Sequence, residues 1–331
     1  MTQPRLDVLC IGNAIVDVIA DADDAFLTKQ GLTKGSMRLI DGAEAERLYA
    51  LMGPGRELSG GSAGNTAAGL AALGCRAGFI GQVADDQLGA IYRHDQKSLG
   101  VDFMVEPRDD VGATARCLVL VTPDAQRTMN TFLGAAQKLD AAAIRADAVA
   151  GAAILYLEGY LWDPEGPRAA MEAAIAAARD AGRKVAFTLS DTFVVDRHRA
   201  DFLRLMDQGR IDILFANALE LAAMTGEEEF EAGVQALAGK VPTLVVTHGD
   251  QGAVAVAGGE RAKVAAEPIE RLVDTTGAGD LFAAGFLAGQ ARGLELETSL
   301  RLGAIAAAEV IQHYGARPER DLKALAGSLL G

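Results

Sequence analysis

Short apolar runs separated by longer helical patterns govern what this 331-residue chain can become. The runs are Leu6–Ile11, the neighbourhood of Phe79–Ile80, Cys117–Val121, Ile154–Leu157, Val185–Leu189, Ile213–Phe215, Thr243–Val246 and Ala253–Val256. Their apolarity is continuous rather than alternating, which marks strands covered on both faces, as in a parallel sheet. Helical patterns fall between them at Ala63–Leu73, Ala169–Ala181, Phe230–Ala238, Ala278–Ala291 and Thr298–Gln312. The first two are followed by Gly74 and Gly182, residues suited to the position just past a helix C-terminus. Alternation of this kind predicts an α/β fold with right-handed crossovers around a mostly parallel sheet.

Two stretches break the rhythm. Residues Ala14–Asp41 mix short alternating runs with Gly31 and Gly35. Val105–Leu133 holds CLVLV, a turn signal at Thr122-Pro123-Asp124, and then RTMNTFL, the pattern of a hairpin. Two such β segments inserted into an α/β chain can pair into a small separate sheet. The expected division is a large body of residues 1–13, 42–104 and 134–331, with a small β lid of residues 14–41 and 105–133.

Charge and cysteine use exclude several classes. A net charge of −14 at pH 7 repels nucleic acid and anionic membranes, so neither is an expected partner. No uninterrupted apolar run approaches the ~20 residues of a membrane span. The start, MTQPRLDVLCIGN, lacks the charged-then-apolar pattern of a signal peptide, and a cytoplasmic location is the expectation. Cys10, Cys75 and Cys117 lie far apart in or beside apolar stretches and read as buried thiols, without metal-ligand spacing. The four histidines show no ligand spacing either.

The chemistry concentrates in Asp274-Thr275-Thr276-Gly277-Ala278-Gly279-Asp280, followed by the apolar helix LFAAGFLAG. Two glycines and an alanine leave the backbone unshielded where a helix begins. Unpaired N–H groups and the positive end of the helix dipole make such a place an anion site. An anion hole of Gly277, Ala278 and Gly279 can stabilise a phosphoryl group in transfer. Asp280 sits in the first helical turn, within reach of whatever occupies that nest. The dipole lowers its pKa and a bound triphosphate raises it, a balance suited to a base that accepts a hydroxyl proton.

These residues resemble the C-terminal signature of the ribokinase-type (pfkB) carbohydrate and nucleoside kinases, DTxGAGDxFxxGF, which here reads DTTGAGDLFAAGF. Gly60-Gly61-Ser62-Ala63-Gly64-Asn65 before an Ala-rich helix resembles the family's substrate loop. The resemblance runs from Gly12-Asn13 to Gly315-Ala316. It implies a ribokinase-like three-layer sandwich with a mostly parallel central sheet and a small β lid. It also implies an ATP-dependent kinase using Mg2+, with K+ as a further candidate cation, as monomer or homodimer. By resemblance Asp280 is the catalytic base, while Asn13, Asp17, Gly61, Ser62 and Asn65 hold substrate hydroxyls. Asn217 and Glu220 of an NxxE motif place magnesium and phosphate. Thr247, Gly249 and Gly252 in VVTHGDQGA, with Asn217, Thr275, Gly277 and Gly279, form the ATP side. Arg127 is a lid arginine able to reach phosphate.

The acceptor is a small molecule, and DILFANALELAAMTG and LYLEGYLWDPEG resemble stretches of the adenosine-kinase branch. Tyr160 and Trp162 offer flat surfaces for a purine. The implied reaction is transfer of the γ-phosphoryl group to the 5′-hydroxyl of adenosine, giving AMP. A kinase for ribose, fructose or a keto-deoxy sugar acid is the alternative, because a plain sugar satisfies the same diol contacts. A catalytically silent nucleotide or sugar sensor is a more distant one, opposed by the intact Asp280. A dinucleotide-binding dehydrogenase lacks its fingerprint here, since Ile11-Gly12-Asn13-Ala14 supplies no GxGxxG. No GxxxxGK[ST] loop is present.

Overall fold

The computed structural model describes residues 4–124 and 126–330. Residues 1–3, 125 and 331, which fall within the expected body and lid, lie outside the described residues. The apolar runs assemble into one nine-stranded sheet. Its spatial order is Glu260–Val264, Ala253–Ala257, Thr243–Thr247, Ile213–Asn217, Lys184–Thr188, Ala152–Glu158, Leu6–Ile11, Ala77–Ile80 and Asp102–Phe103. Pairing is parallel from Asp102–Phe103 through Thr243–Thr247 and antiparallel at the last two strands.

Both faces of this sheet are covered, as continuous apolarity requires. Val8, Cys10, Tyr156 and Phe215 point to one side, against helices Ser62–Ala72, Ala278–Ala291 and Leu296–Val310. Leu9, Ile11, Leu155, Phe187 and Leu214 point to the other, against Glu165–Asp180, Thr192–Asp207, Ala218–Thr225 and Phe230–Ala238. The result is a three-layer α/β sandwich. Cys10, Cys75 and Cys117 are buried free thiols. Among the described residues no helix is long and apolar enough to cross a membrane.

A second sheet of five strands has the order Met37–Leu39, Arg127–Phe132, Ala115–Val121, Ile15–Asp21 and Arg56–Ser59. The hairpin signal is realised as an antiparallel pair from Arg116↔Phe132 to Val121↔Arg127. Ile15–Asp21 alternates buried and half-buried residues, so one of its faces is covered. Two features correct the sequence expectation. Arg56–Ser59 pairs antiparallel with Val16–Ile19, although residues 42–104 were expected in the body. The strand reads RELS, with no apolar run to announce it. Residues 24–29 also form a helix, opened by Asp23 accepting from the Phe26 N–H.

Candidate active site

A cavity of about 490 Å³ opens between the two sheets. Asn13, Glu158, Thr188, Asn217 and Thr247 line it, each at the carboxyl end of a strand of the large sheet or just past it. That is where open parallel sheets place ligands, because the strand order lets loops diverge there. The lid contributes Asp17 to the floor and Met37, Leu39, Cys117, Met129 and Thr131 to the opposite wall.

Asp280 lies on the cavity wall in the first turn of helix Ala278–Ala291. Ser62 Oγ donates to its Oδ1 at 2.6 Å, and Asn65 Nδ2 to its Oδ2 at 2.8 Å. Burial raises the pKa of this carboxyl, while the Ser62 and Asn65 hydrogen bonds and the nearby Arg317 pull it back down. The helix is entered through Gly277 at φ 80°, a left-handed conformation that glycine adopts without strain. A Cβ there would lie 2.5 Å from the Ala316 Cβ. The first bond returning from the helix is Leu281 N–H to Gly277 O at 2.8 Å. Gly277 and Gly279 line the cavity. Ala278 differs from the expected anion hole: its N–H donates to Thr275 O at 3.2 Å and is spent within the loop.

Asn13, Asp17, Gly61, Ser62 and Asn65 all meet at the cavity floor. Gly61 has φ 79°, and a Cβ on it would overlap the Asn13 carbonyl oxygen, so the two loops touch backbone to backbone. Burial raises the Asp17 pKa to about 6, with Arg127 and Arg317 opposing that rise. Asn65 Oδ1 is buried and has no hydrogen-bond partner among the described residues. An orphaned acceptor on a cavity wall suits an incoming hydroxyl.

Glu158 organises this floor, and sequence reasoning passed over it. It is fully buried and ends the strand Ala152–Glu158. Its Oε1 accepts from Asn13 N (2.8 Å) and Nδ2 (2.7 Å), and its Oε2 from Ala63 N (2.7 Å). Burial pushes its pKa up to about 7 against those hydrogen bonds. The available signal was a single carboxylate closing an apolar run, since burying such a group is costly unless it has partners.

On the other side lie Asn217, Glu220 and Thr247. Asn217 and Glu220 form a capping box. Asn217 Oδ1 accepts from Glu220 N at 2.9 Å, and the Glu220 carboxylate accepts from Asn217 N and Nδ2 at 3.1 and 2.7 Å. Burial raises the Glu220 pKa to about 7. Gly249 and Gly252 shape the turn after Thr247, where His248 stacks on Phe230 at 4.1 Å. Thr275 is exposed beside the glycine loop.

Two expectations are corrected. Arg127 does not line the cavity: it forms an ion pair with Asp274, and both side chains are nearly inaccessible. Asp274 also accepts from Thr276 N (3.0 Å), Thr276 Oγ1 (2.7 Å) and Gly315 N (3.1 Å), so it is the hub of the glycine loop and draws the lid cation to it. Trp162 is fully buried in the second core, against Phe187 and Phe202, with Nε1 donating to Asp201 at 3.1 Å. It is out of reach of a ligand. Tyr160 does line the cavity, and its aromatic neighbour there is Phe193, 5.9 Å away between ring centres. Phe193 belongs to no motif that would single it out beforehand.

A three-layer sandwich with a glycine-opened helix beneath a β lid is the architecture of the small-molecule kinases of the ribokinase type. The family model for pfkB family carbohydrate kinases matches residues 5–322, so the chain belongs to that family and is a phosphotransferase acting on a hydroxyl. It is 49% identical to a solved adenosine kinase from Sinorhizobium meliloti, at a TM-score of 0.90 over 97% of this chain and 98% of that one. It is 47% identical to a probable sugar kinase from Rhizobium etli CFN 42, at a TM-score of 0.91 over 98% of both chains. It is also 28% identical to the adenosine kinase of Saccharomyces cerevisiae, over 95% of this chain and 96% of that protein.

Proposed function

We propose that this protein transfers the γ-phosphoryl group of ATP to the 5′-hydroxyl of adenosine, giving AMP and ADP. The observation that carries this reading is the two-sided lining of the cavity. Its floor is polar, with Asn13, Asp17 and Asn65 placed for a ribose diol beside Asp280. Its other walls are apolar or aromatic, with Met37, Leu39, Met129 and Leu133 on one side and Tyr160 and Phe193 on another. A purine gains more from such walls than a free sugar does, because its whole flat face can stack on them. Likeness to adenosine kinases points the same way.

Asp280 is the base. Its carboxylate takes the hydroxyl proton as the oxygen bonds to phosphorus and the bond to the leaving ADP breaks. Charge on the transferring group meets the backbone N–H groups that open helix Ala278–Ala291. Thr247 and Asn217 face the nucleotide phosphates, with Gly249 and Gly252 shaping their loop. Among the described residues no group of three or more His, Cys, Asp or Glu side chains is placed to hold a metal ion. Magnesium arriving with the nucleotide would be held chiefly by its phosphates and by water, with Glu220 nearby on the wall. The five-stranded sheet acts as the lid over the acceptor.

Competition tests the acceptor. Equimolar adenosine and ribose, or adenosine and fructose, are offered with limiting ATP and the products separated by mass. AMP as the main product supports the reading; exclusive formation of a sugar phosphate overturns it and leaves a sugar kinase.

A further inference from the structure

Arg317 lies in the loop after helix Leu296–Val310, far in sequence from both glycine loops. That loop is pinned on either side of it. Gly315 N–H donates to Asp274 Oδ2 (3.1 Å), while Glu319 N–H and Arg320 N–H donate to Glu309 Oε1 (3.0 and 2.9 Å). The guanidinium reaches across to the substrate loop. Nη1 donates to Gly64 O at 3.0 Å, and Nη2 to Ser59 O at 2.6 Å and Ser59 Oγ at 3.0 Å. Asp95 Oδ2 accepts from Ser59 N (2.9 Å), and Tyr92 OH donates to Gly60 O (3.2 Å), so the carbonyls around Gly60-Gly61 are tied from several directions.

We infer that Arg317 is a positioning residue for phosphoryl transfer: it staples the Ser59–Asn65 loop and sets a half-buried positive charge near Asp17 and Asp280. The inference rests on the reading of Asp280 as the base. The chain of contacts is short. Arg317 holds Gly64 O in the first turn of helix Ser62–Ala72, and Ser62 and Asn65 of that turn grip the Asp280 carboxylate. A loosened loop misplaces two groups at once, the hydroxyl ligands and the hold on the base. Misplacement of ~1 Å costs on the order of a hundredfold in rate.

Charge adds a second effect. The ionisable and hydrogen-bonding groups around Asp280 are Ser62, Asn65, Arg317, the phenols Tyr156 and Tyr160, and the carboxylates Asp17, Glu158 and Glu220. Arg317 lowers the pKa of both Asp280 and Asp17, and burial lowers its own. Removing its charge raises the pKa of Asp280. The acid limb of the kcat profile then moves to higher pH, because the base stays protonated further up the scale.

Arg317→Gln and Arg317→Lys separate the two effects, with adenosine and fructose as acceptors and saturating MgATP. In Arg317→Gln, kcat falls at least about tenfold and KM for the acceptor rises, in keeping with lost positioning. Its acid limb moves up while KM for ATP stays near wild type. Arg317→Lys keeps the limb in place but not the full rate, because one ammonium cannot reproduce the planar fork. Wild-type kcat and an unmoved limb in Arg317→Gln overturn the inference even if its Tm drops. If the Gln variant does not fold, Arg317→Lys decides: a lower kcat with an unmoved limb supports the inference, and wild-type kinetics overturn it. Wild-type enzyme that phosphorylates fructose and not adenosine overturns the acceptor assignment instead, and Arg317 is then judged on fructose.

Discussion

Ser62 Oγ lies 2.6 Å from Asp280 Oδ1, so the N-terminal glycine loop holds the carboxylate of the C-terminal one. The two residues are 218 positions apart. Each loop is shaped by local glycines, but only their encounter gives the carboxylate proposed as the base a fixed direction. Asp280→Asn keeps the shape and removes the basicity. Its turnover falls about a hundredfold or more, the scale of lost general-base catalysis. ATP affinity, measured by calorimetry, stays near wild type. Near-normal kcat in that variant removes Asp280 from the proton-transfer role.

The aromatic residues separate by location. Phe193→Ala strips one ring from the cavity wall and raises KM for adenosine about threefold to tenfold, the value of ~0.5–1.5 kcal/mol of aromatic contact. Trp162→Phe leaves that KM alone and lowers Tm, because Trp162 fills the core and its Nε1 hydrogen bond to Asp201 is lost. Steady-state kinetics beside thermal melts give the answer. A raised adenosine KM in Trp162→Phe would return that residue to the base pocket.

Stability should fall as pH rises from about 5 to about 8. Glu158 and Glu220 both have folded pKa values of about 7, above the ordinary 4.5. The folded state therefore holds these protons longer than the unfolded chain does. Stability from each is complete below pH 4.5 and is lost as pH climbs through about 7. Carboxylates with lowered pKa, such as Asp7 and Glu44, act in the opposite sense below that window. Melts across pH 5–8 read the slope. Glu158→Gln melts lower at pH 5, since its amide cannot accept all three N–H groups, but shows a shallower fall. A slope unchanged in that variant refutes the assignment.

Arg127 and Asp274 join the lid hairpin to the glycine loop through a nearly inaccessible ion pair. Losing one partner strands a buried charge, at a cost of about 3–5 kcal/mol. Arg127→Met therefore melts well below wild type. The double variant Arg127→Met/Asp274→Asn recovers part of that loss, because no unpaired charge is left. Thermal melts of wild type, Arg127→Met, Asp274→Asn and the double variant form the cycle, and simple additivity of the two single losses would show that the pair is not coupled.

Much of the fold was legible from local pattern. Continuous apolar runs mark strands because both faces of the large sheet are covered, and Phe230–Ala238 and Ala278–Ala291 begin and end where their periodicity does. Edge strands such as Arg56–Ser59 and Glu260–Val264 escaped notice, since one open side lets polar residues stand where the apolar signal would be.

Neighbouring residues set what the backbone does locally. Glycines at 61 and 277 open two helices, and Ser62, Asn65 and Asp280 follow them within a turn, so each residue's place in its own loop is set locally. Which distant side chains meet depends on the packed fold. Glu158 joins Asn13 to Ala63, Arg317 joins Ser59 to the C-terminal loop, Arg127 turns to Asp274 rather than to the cavity, and Trp162 goes into the core while Phe193 takes its place on the wall. The physical reason is the same each time. A turn or helix start is set by the dihedral preferences of neighbouring residues, whereas the partner of a buried charge or ring is chosen by whichever strand ends and loops the packed sheet brings within a few ångströms of it.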